Sequence, residues 1–598
     1  MTDTPTHPGH PGHPGRLAPR PTAIVAVAAL FLAACPQNEP LQVAQATPEP
    51  MPAPVKAEPV EIKSPLGSFL AGRLARRDND MDAAAKYFSQ ALAEDAENLD
   101  LLRQAFLAVN AEGREAEAMA IARRMVDVRP KDSIGSVALM VDAIKRGDAA
   151  AARSRLESLP KDGYNTLLVP LLQAWLQVAD GDTMGAIAIL DELAESEGFA
   201  VFRQYHSALV HDIAGNADEA DAAYGFIVMS ESGGSYRSVA GYGSYLERAG
   251  RIDEARELYG TYLETNPSVI WFEASLARLE TGVRPPRTVR NARDGAAEVM
   301  FGIASALYQE NALDAALLYA RFAGYLRPGF DAVNLLIGDI FEVRGRPKES
   351  IAAYRAVSRN SPLNWSVRLR IATNLDALDR TDEAVADLRA MADERPDRSD
   401  ALLALGNLLR SKERWTDAVA AYDEGLARIG DREPRHWRPL YARGIALERS
   451  RQWPRAEKDF LDALDLAPDQ PLVLNYLGYS WVDQGINLEK ALGFIERAVE
   501  LRPEDGYIID SLGWALYRMD KFEDATRQLE RAVERRPEDP TINDHLGDAY
   551  WRVGRYIEAH YQWRRALVLE PTEDGAVANI EAKLRDGLSP IAVADGEG

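Results

Sequence analysis

The 598-residue sequence predicts an all-α solenoid, a stack of about 14 helix-turn-helix units, on three observations. The first is a small residue on a fixed beat: Ala316, Ser350, Ala384 and Ala418 lie 34 residues apart. The run continues through Ala456, Ala491, Ala525 and Ala559 at spacings of 38, 35, 34 and 34. Upstream it passes through Ala84, Ala118, Ala152, Ala186, Ala220 and, one residue late, Ala255. The second observation is a glycine at a constant offset ahead of the small residue, at Gly72, Gly243, Gly338, Gly406, Gly444, Gly513 and Gly547. The third is a proline at the same offset behind it, at Pro130, Pro267, Pro328, Pro362, Pro396, Pro468, Pro503, Pro537 and Pro571. A unit of this length cannot bury its own apolar face, so units must stack.

Taken in order, the units begin near residues 65, 99, 133, 167, 201, 236, 297, 331, 365, 399, 437, 471, 506 and 540. Within each, apolar residues fall at helical spacing, as in Ala525, Leu529 and Ala532, which share one helix face. Small residues let two helix backbones cross closely, and proline ends the second helix because it cannot continue it. The copies from 331 onward are the clearest, whereas those near 99, 133 and 167 carry Phe106, Met140 and Ala174 at the glycine position. Between Ala255 and Ala316 the spacing is 61, a surplus of 27. The surplus contains Val283 to Arg293, with four arginines and no acid. It reads either as a linker, residues 281–296, between modules at 65–280 and 297–573, or as a docking loop. An insertion around Asp431 to His436 lengthens one turn, residues 574–586 read as a terminal capping helix, and 587–598 read as a disordered tail.

The segment from Met1 to Ser64 differs in kind. Arg16 and Arg20 precede an apolar run, Ala23 to Ala34, too short to span a bilayer, which ends in Leu32-Ala33-Ala34-Cys35. A basic flank, a short apolar core and small residues before a cut site describe a secretory signal peptide over 1–35. The single cysteine of the chain, Cys35, cannot form an internal disulfide. Its setting resembles the lipobox of bacterial lipoproteins, which implies acylation of Cys35 and attachment to a membrane by a lipid anchor only. Residues 36–64, rich in Pro, Glu, Gln and Ala, read as an extended tether.

The unit Leu512-Gly513, Leu516, Ala525, Leu529, Ala532, Pro537 resembles the tetratricopeptide repeat (TPR), and the resemblance runs from about 65 to 573 with one gap. It implies a right-handed TPR superhelical solenoid whose first helices line a concave groove that binds proteins or peptides. The groove positions that the resemblance implies hold Phe301, Ser305 and Tyr308, then Tyr441, Ile445 and Glu448, then Asn475, Tyr479 and Val482. They continue with Asp510, Trp514 and Tyr517, then Asp544, Asp548 and Trp551, flanked by Arg449, Arg518 and Arg552. Trp, Tyr and Arg dominate binding energies, so Trp514, Tyr517 and Trp551 form a candidate aromatic anchor ringed by Asp510, Asp544 and Arg552. The other reading of these rings is packing between repeats.

A narrower likeness lies in Asn475-Tyr476-Leu477-Gly478-Tyr479 through Asp510-Ser511-Leu512-Gly513-Trp514-Ala515-Leu516-Tyr517, which resembles a block of Gram-negative envelope TPR lipoproteins. Some of that group are adaptors for a periplasmic carboxyl-terminal processing protease. The resemblance therefore implies an envelope lipoprotein facing the periplasm, with a periplasmic protease as one partner. The competing class is an assembly scaffold for envelope or exopolysaccharide-export machinery.

Composition and motifs bound the chemistry. A net charge of −23 disfavours a nucleic-acid partner, since phosphate binding requires a basic surface. After Cys35 the histidines are His206, His211, His436, His545 and His560, and none has the spacing of a helical zinc pair. No phosphate loop, nucleophile elbow or dinucleotide fingerprint occurs, and Ser158-Leu159-Pro160-Lys161 lacks the companion motifs of acyl-serine enzymes. The sequence thus predicts a non-enzymatic chain with no metal site and no cofactor.

Overall fold

The computed structural model describes residues 64–160, 162–193, 200–229, 234–266, 269–572 and 575–589. The signal peptide, Cys35 and most of the tether and tail lie outside the described residues. Among the described residues there are thirty α-helices and no strand, numbered α1 (Pro65–Arg77) to α30 (Ala576–Asp586) in chain order. Some helix starts are set by short polar caps and proline: Asp132 accepts from the Gly135 amide at 2.8 Å, Asp539 accepts from Ile542 at 3.0 Å, and Pro540 follows at the first helical position.

The periodic residues form the core. Ala84, Ala118, Ala152, Ala186, Ala220, Ala255, Ala316, Ser350, Ala384, Ala418, Ala456, Ala491, Ala525 and Ala559 are all fully buried. Each glycine of the pattern lies against the side chain that follows the small residue by one helical turn. A Cβ at Gly243 would come within 2.2 Å of the Tyr259 ring, one at Gly338 within 2.2 Å of Tyr354, and one at Gly547 within 2.5 Å of Trp563. The glycine is the notch and the ring is the knob, which is why the two occur together. Where the sequence has Phe106 instead of glycine, the knob position of the same repeat is the small Ala122, and both are buried. The sizes are exchanged and the volume is kept.

The chain divides into two compact units, one ending at Asp379 and the other beginning at Arg380. The division expected at 281–296 is not where the contacts divide, because that segment, though largely exposed, is fastened to the first unit at a few points. Val289 is buried, the Ser244 hydroxyl donates to the Pro286 carbonyl at 2.9 Å, and Arg287 pairs with Asp212 at 3.3 Å. Asn291 then caps α14 (Ala292–Gln309) by accepting from the Asp294 amide at 2.9 Å. The surplus over one period holds one unpaired helix, α13 (Glu273–Thr281), and this extended return.

The return brings α14 and α15 (Leu313–Leu326) back onto earlier repeats of the same unit. α14 packs on α7 (Asn165–Ala179), and α15 packs on α3 (Leu99–Ala111) and α5 (Ser133–Arg146). Gly295 sits against the Trp175 ring, where a Cβ would come within 2.2 Å. Arg321 donates to the Ala111 carbonyl at 2.8 Å, and the Tyr325 hydroxyl donates to Asp142 at 2.8 Å. These contacts close loops of several repeats, which no local pairing of helices would do.

Candidate functional site

In the first unit, four helices converge on a cavity of about 200 Å³. α9 (Ala200–Ala214) supplies Phe202, Tyr205 and His206, and α11 (Tyr236–Ala249) supplies Tyr236 and Arg237. α14 supplies Glu298, Phe301, Ser305 and Tyr308 from one face, and α16 (Asp331–Val343) supplies Leu335, Leu336 and Asp339. Trp271 and Leu363 complete the wall. Gly302 keeps α14 close to α9, since a Cβ there would meet the Phe202 ring at 3.1 Å.

One wall of this apolar space is held by a buried ionic cluster. Glu298 is fully buried and pairs with Arg237 and, at 3.3 Å, with Arg327. The Tyr205 hydroxyl donates to the same carboxylate at 3.3 Å. The two guanidinium groups lie over the Phe330 ring at 5.0 and 4.7 Å, and Phe330 contacts Phe301 at 5.3 Å between centroids. Burial and the Glu298 charge hold the Tyr205 hydroxyl far above its ordinary range. His206 stays neutral, because burial lowers it to about 3; its Nδ1 accepts from the Trp175 indole at 3.1 Å. At the opposite wall, burial lifts Asp339 to about 6 against the Arg370 charge at 2.8 Å and the Tyr354 hydroxyl donated at 2.7 Å.

In the second unit, α26 (Gly506–Arg518) and α28 (Pro540–Arg552) carry the C-terminal groove positions. Trp514 stacks on Tyr517 with centroids 4.9 Å apart and on His545 with centroids 4.1 Å apart. Asp510, buried beneath, is 3.0 Å from His545 Nδ1. Burial alone would lower the His545 ring, but the charge and hydrogen bond of Asp510, with Asp544 and Asp548, lift it above its ordinary value. Lys583 reaches down from α30 to Asp544 at 2.8 Å and Asp548 at 2.8 Å. Burial raises Asp548 while the Lys583 charge opposes it. The capping helix is therefore a participant in this groove and not only a cover for the last repeat.

The predicted residues thus fall into different settings. Phe301 and Tyr308 meet in the cavity. Tyr441 is taken up by packing among Trp437, Phe460 and Tyr476, and burial pushes its hydroxyl up to about 12. Tyr479 is half-buried on the helix Pro471–Gln484. Arg518 is exposed, with the Asp483 carbonyl at 3.4 Å. Arg552 donates to the Tyr517 hydroxyl at 3.2 Å and to the Ser589 carbonyl at 2.7 Å. Trp551 packs, as Tyr517 does, against the core cluster around Leu546 and Trp563. Its ring packs with Tyr556 at 4.6 Å and Trp563 at 5.5 Å, and Gly587 lies against it. Asp510 and Asp544 are paired within the chain instead of facing outward as free carboxylates. Sequence reasoning missed His545 and Lys583. His545 follows Asp510 by one repeat period plus one position, which is the signal that could have found it. It also missed Phe202, Arg237, Trp271 and Glu298, whose convergence depends on the return of α14.

Among the described residues no cluster of His, Cys, Asp and Glu is arranged to hold a metal ion, and no helix is long and apolar enough to cross a membrane.

The family model described as "Tetratricopeptide repeat" matches residues 305–364, 369–434, 441–506 and 511–575. A TPR repeat-containing protein of Pseudomonas aeruginosa is 29% identical over 198 residues, 33% of this chain. That match spans 33% of the relative's own length. Among solved structures, the APC/C hetero-tetramer Cut9–Hcn1 is similar at 15% identity with a TM-score of 0.36, over 87% of this chain and 96% of that one. A tetratricopeptide repeat protein from Parabacteroides merdae is similar at 16% identity with a TM-score of 0.33, over 42% of this chain and 96% of that one. With four matched stretches lying on consecutive helices of an all-helical structure, residues 305–575 are built of tetratricopeptide repeats.

Proposed function

We propose that this protein-interaction scaffold works in the bacterial envelope and takes an apolar side chain of a partner protein or peptide into the cavity between α9, α11, α14 and α16. One observation carries the reading. Phe301, Ser305 and Tyr308, three groove positions of a single helix, form a wall of an apolar cavity whose far side is Phe202, Trp271 and Leu336. The rigid ion cluster at Glu298 keeps that space open without offering a free charge to the occupant. The envelope setting rests on the lipobox-like Leu32-Ala33-Ala34-Cys35, and the adaptor role rests on the Asn475 to Tyr517 likeness. The chemistry required of the scaffold is binding alone: it presents a captured protein to a second partner, with a periplasmic carboxyl-terminal processing protease as the preferred one.

The test is a photoreactive residue at Ser305, with partners recovered from solubilised membranes. Crosslinks that disappear in Phe301→Ala support capture in the cavity. A protease among them favours the adaptor, and export or cell-wall components alone favour an assembly scaffold. Crosslinking unaffected by Phe301→Ala would make the cavity internal packing.

A further inference from the structure

The first helix of the array carries a feature that neither the repeats nor the cavity uses. α1 buries Ser68 and Gly72, the latter against the Phe88 ring, where a Cβ would come within 2.8 Å. On its other side Leu66, Leu70 and Leu74 are 66%, 54% and 50% exposed. Their spacing of four places them in one stripe along the helix. Exposed leucines scattered singly need no explanation, but three in line on one helix form a contiguous apolar face.

The charge of the same helix points to what this face meets. α1 contains Arg73, Arg76 and Arg77 and no acidic residue, in a chain of net charge −23. By helical angle Arg73 and Arg77 lie along the leucine stripe, within about a quarter-turn of it. Arg73 lies over the Phe69 ring at 5.9 Å and has no carboxylate within ion-pair distance among the described residues. Among the described residues Arg77 meets only the exposed Asp78, at 3.2 Å. Arg76 and Arg103 line the adjoining cleft with Phe69 and are held in place, Arg76 by Asp314 at 2.9 Å and Arg103 by the buried Asp132 at 2.5 Å. The exposed Asp100, 3.7 Å from Arg103, is the acidic residue of that cleft.

We propose that α1 is an interfacial helix, which lays Leu66, Leu70 and Leu74 into the headgroup boundary of an anionic membrane while Arg73 and Arg77 engage lipid phosphates. A leucine stripe edged by arginines matches a surface that is apolar inside and negatively charged outside, and an acidic protein partner would leave the leucines in contact with charge. Only the tether, residues 36–64, separates α1 from Cys35. A helix so close to a lipid anchor would add a second, basic contact with the same surface. The proposal does not rest on acylation and is tested without it.

The experiment uses the full chain in a Cys35→Ala background, with Leu70→Cys carrying an environment-sensitive dye. Vesicles of phosphatidylglycerol with phosphatidylcholine should shift its emission to the blue, and vesicles of phosphatidylcholine alone should shift it far less. Flotation then compares Cys35→Ala with two further variants in the same background, Leu66→Ser/Leu70→Ser/Leu74→Ser and Arg73→Glu/Arg77→Glu. The apolar run at Ala23 to Ala34 contributes equally to all three. Each variant should lose at least about tenfold in partitioning to anionic vesicles, with helicity and melting unchanged because the substituted side chains are exposed. No blue shift, or equal flotation of all three proteins, overturns the proposal. A leucine variant that only dissolves a dimer, or only exposes residues 36–63 to protease, assigns the face to a second copy or to the tether and also overturns it.

Discussion

The His545 imidazole lies on the Trp514 indole with ring centroids 4.1 Å apart and planes inclined by 14°. The same imidazole holds the buried Asp510 carboxylate at 3.0 Å through Nδ1. A groove residue, a core carboxylate and a titratable ring are thereby coupled across two repeats, so occupation of the groove and the charge of His545 act on the same side chains.

This arrangement gives a pH dependence with a definite sign. The His545 value is raised in the folded protein: burial lowers it, but the charge and hydrogen bond of Asp510 together with the charges of Asp544 and Asp548 outweigh burial. Its stabilising contribution is therefore fully present below the unfolded imidazole value of about 6.5 and is lost as pH rises through the raised folded value. The difference in urea unfolding free energy between wild type and His545→Gln should be widest near the acidic end of that window and narrow above it. A pH-independent difference would show that the ring contributes packing only.

Lys583 compensates two carboxylates from a helix outside the repeats. Lys583→Ala leaves Asp544 and Asp548 without their cation, and Asp548 is buried. Breaking a buried pair from one side costs about 3–5 kcal/mol, and Asp548→Asn in the same background should recover part of it. Denaturant unfolding of both variants, followed by tryptophan fluorescence, measures this.

The glycine notches predict steric sensitivity. Gly243→Ala places a methyl group 2.2 Å from the Tyr259 ring, and Gly547→Ala places one 2.5 Å from Trp563. Each should destabilise by about 1–3 kcal/mol, although alanine favours a helix over glycine. A stabilising Gly243→Ala, measured by thermal unfolding, would mean that Tyr259 moves aside freely.

Residues 282–291 look like a linker in sequence and are largely exposed, but Val289, Pro286 and Arg287 fasten them to the first unit. Trypsin should leave Arg287 and Arg290 uncut until the first unit unfolds, and Val289→Asp should open the segment to cleavage, because Val289 is buried. Peptide mapping over time reads the result; early cleavage of the wild-type segment would restore it as a joint.

The lipobox-like segment predicts acylation. Cys35→Ala should abolish labelling by a fatty-acid analogue and leave unprocessed precursor; unchanged labelling would remove the lipoprotein reading.

The sequence by itself determined what is repeated. Ala84 to Ala559, the glycines and the prolines mark contacts between a helix and its nearest neighbours, all within a single repeat period. Such contacts recur once per unit and are visible as a pattern. The capping helix was legible for the same reason, as a last face in need of cover. Only the tertiary structure decided where the array turns back on itself. Arg76 meets Asp314 and Tyr205 meets Glu298, each pair lying several helices apart along the chain. These contacts occur once, so no period records them, and long-range closure depends on how small rotations accumulate over several repeats. The cavity is a product of that closure: Phe301 and Tyr308 were readable as groove positions, but Phe202, Trp271 and the Arg237–Glu298 pair enter the site only because α14 returns to lie beside α9 and α11.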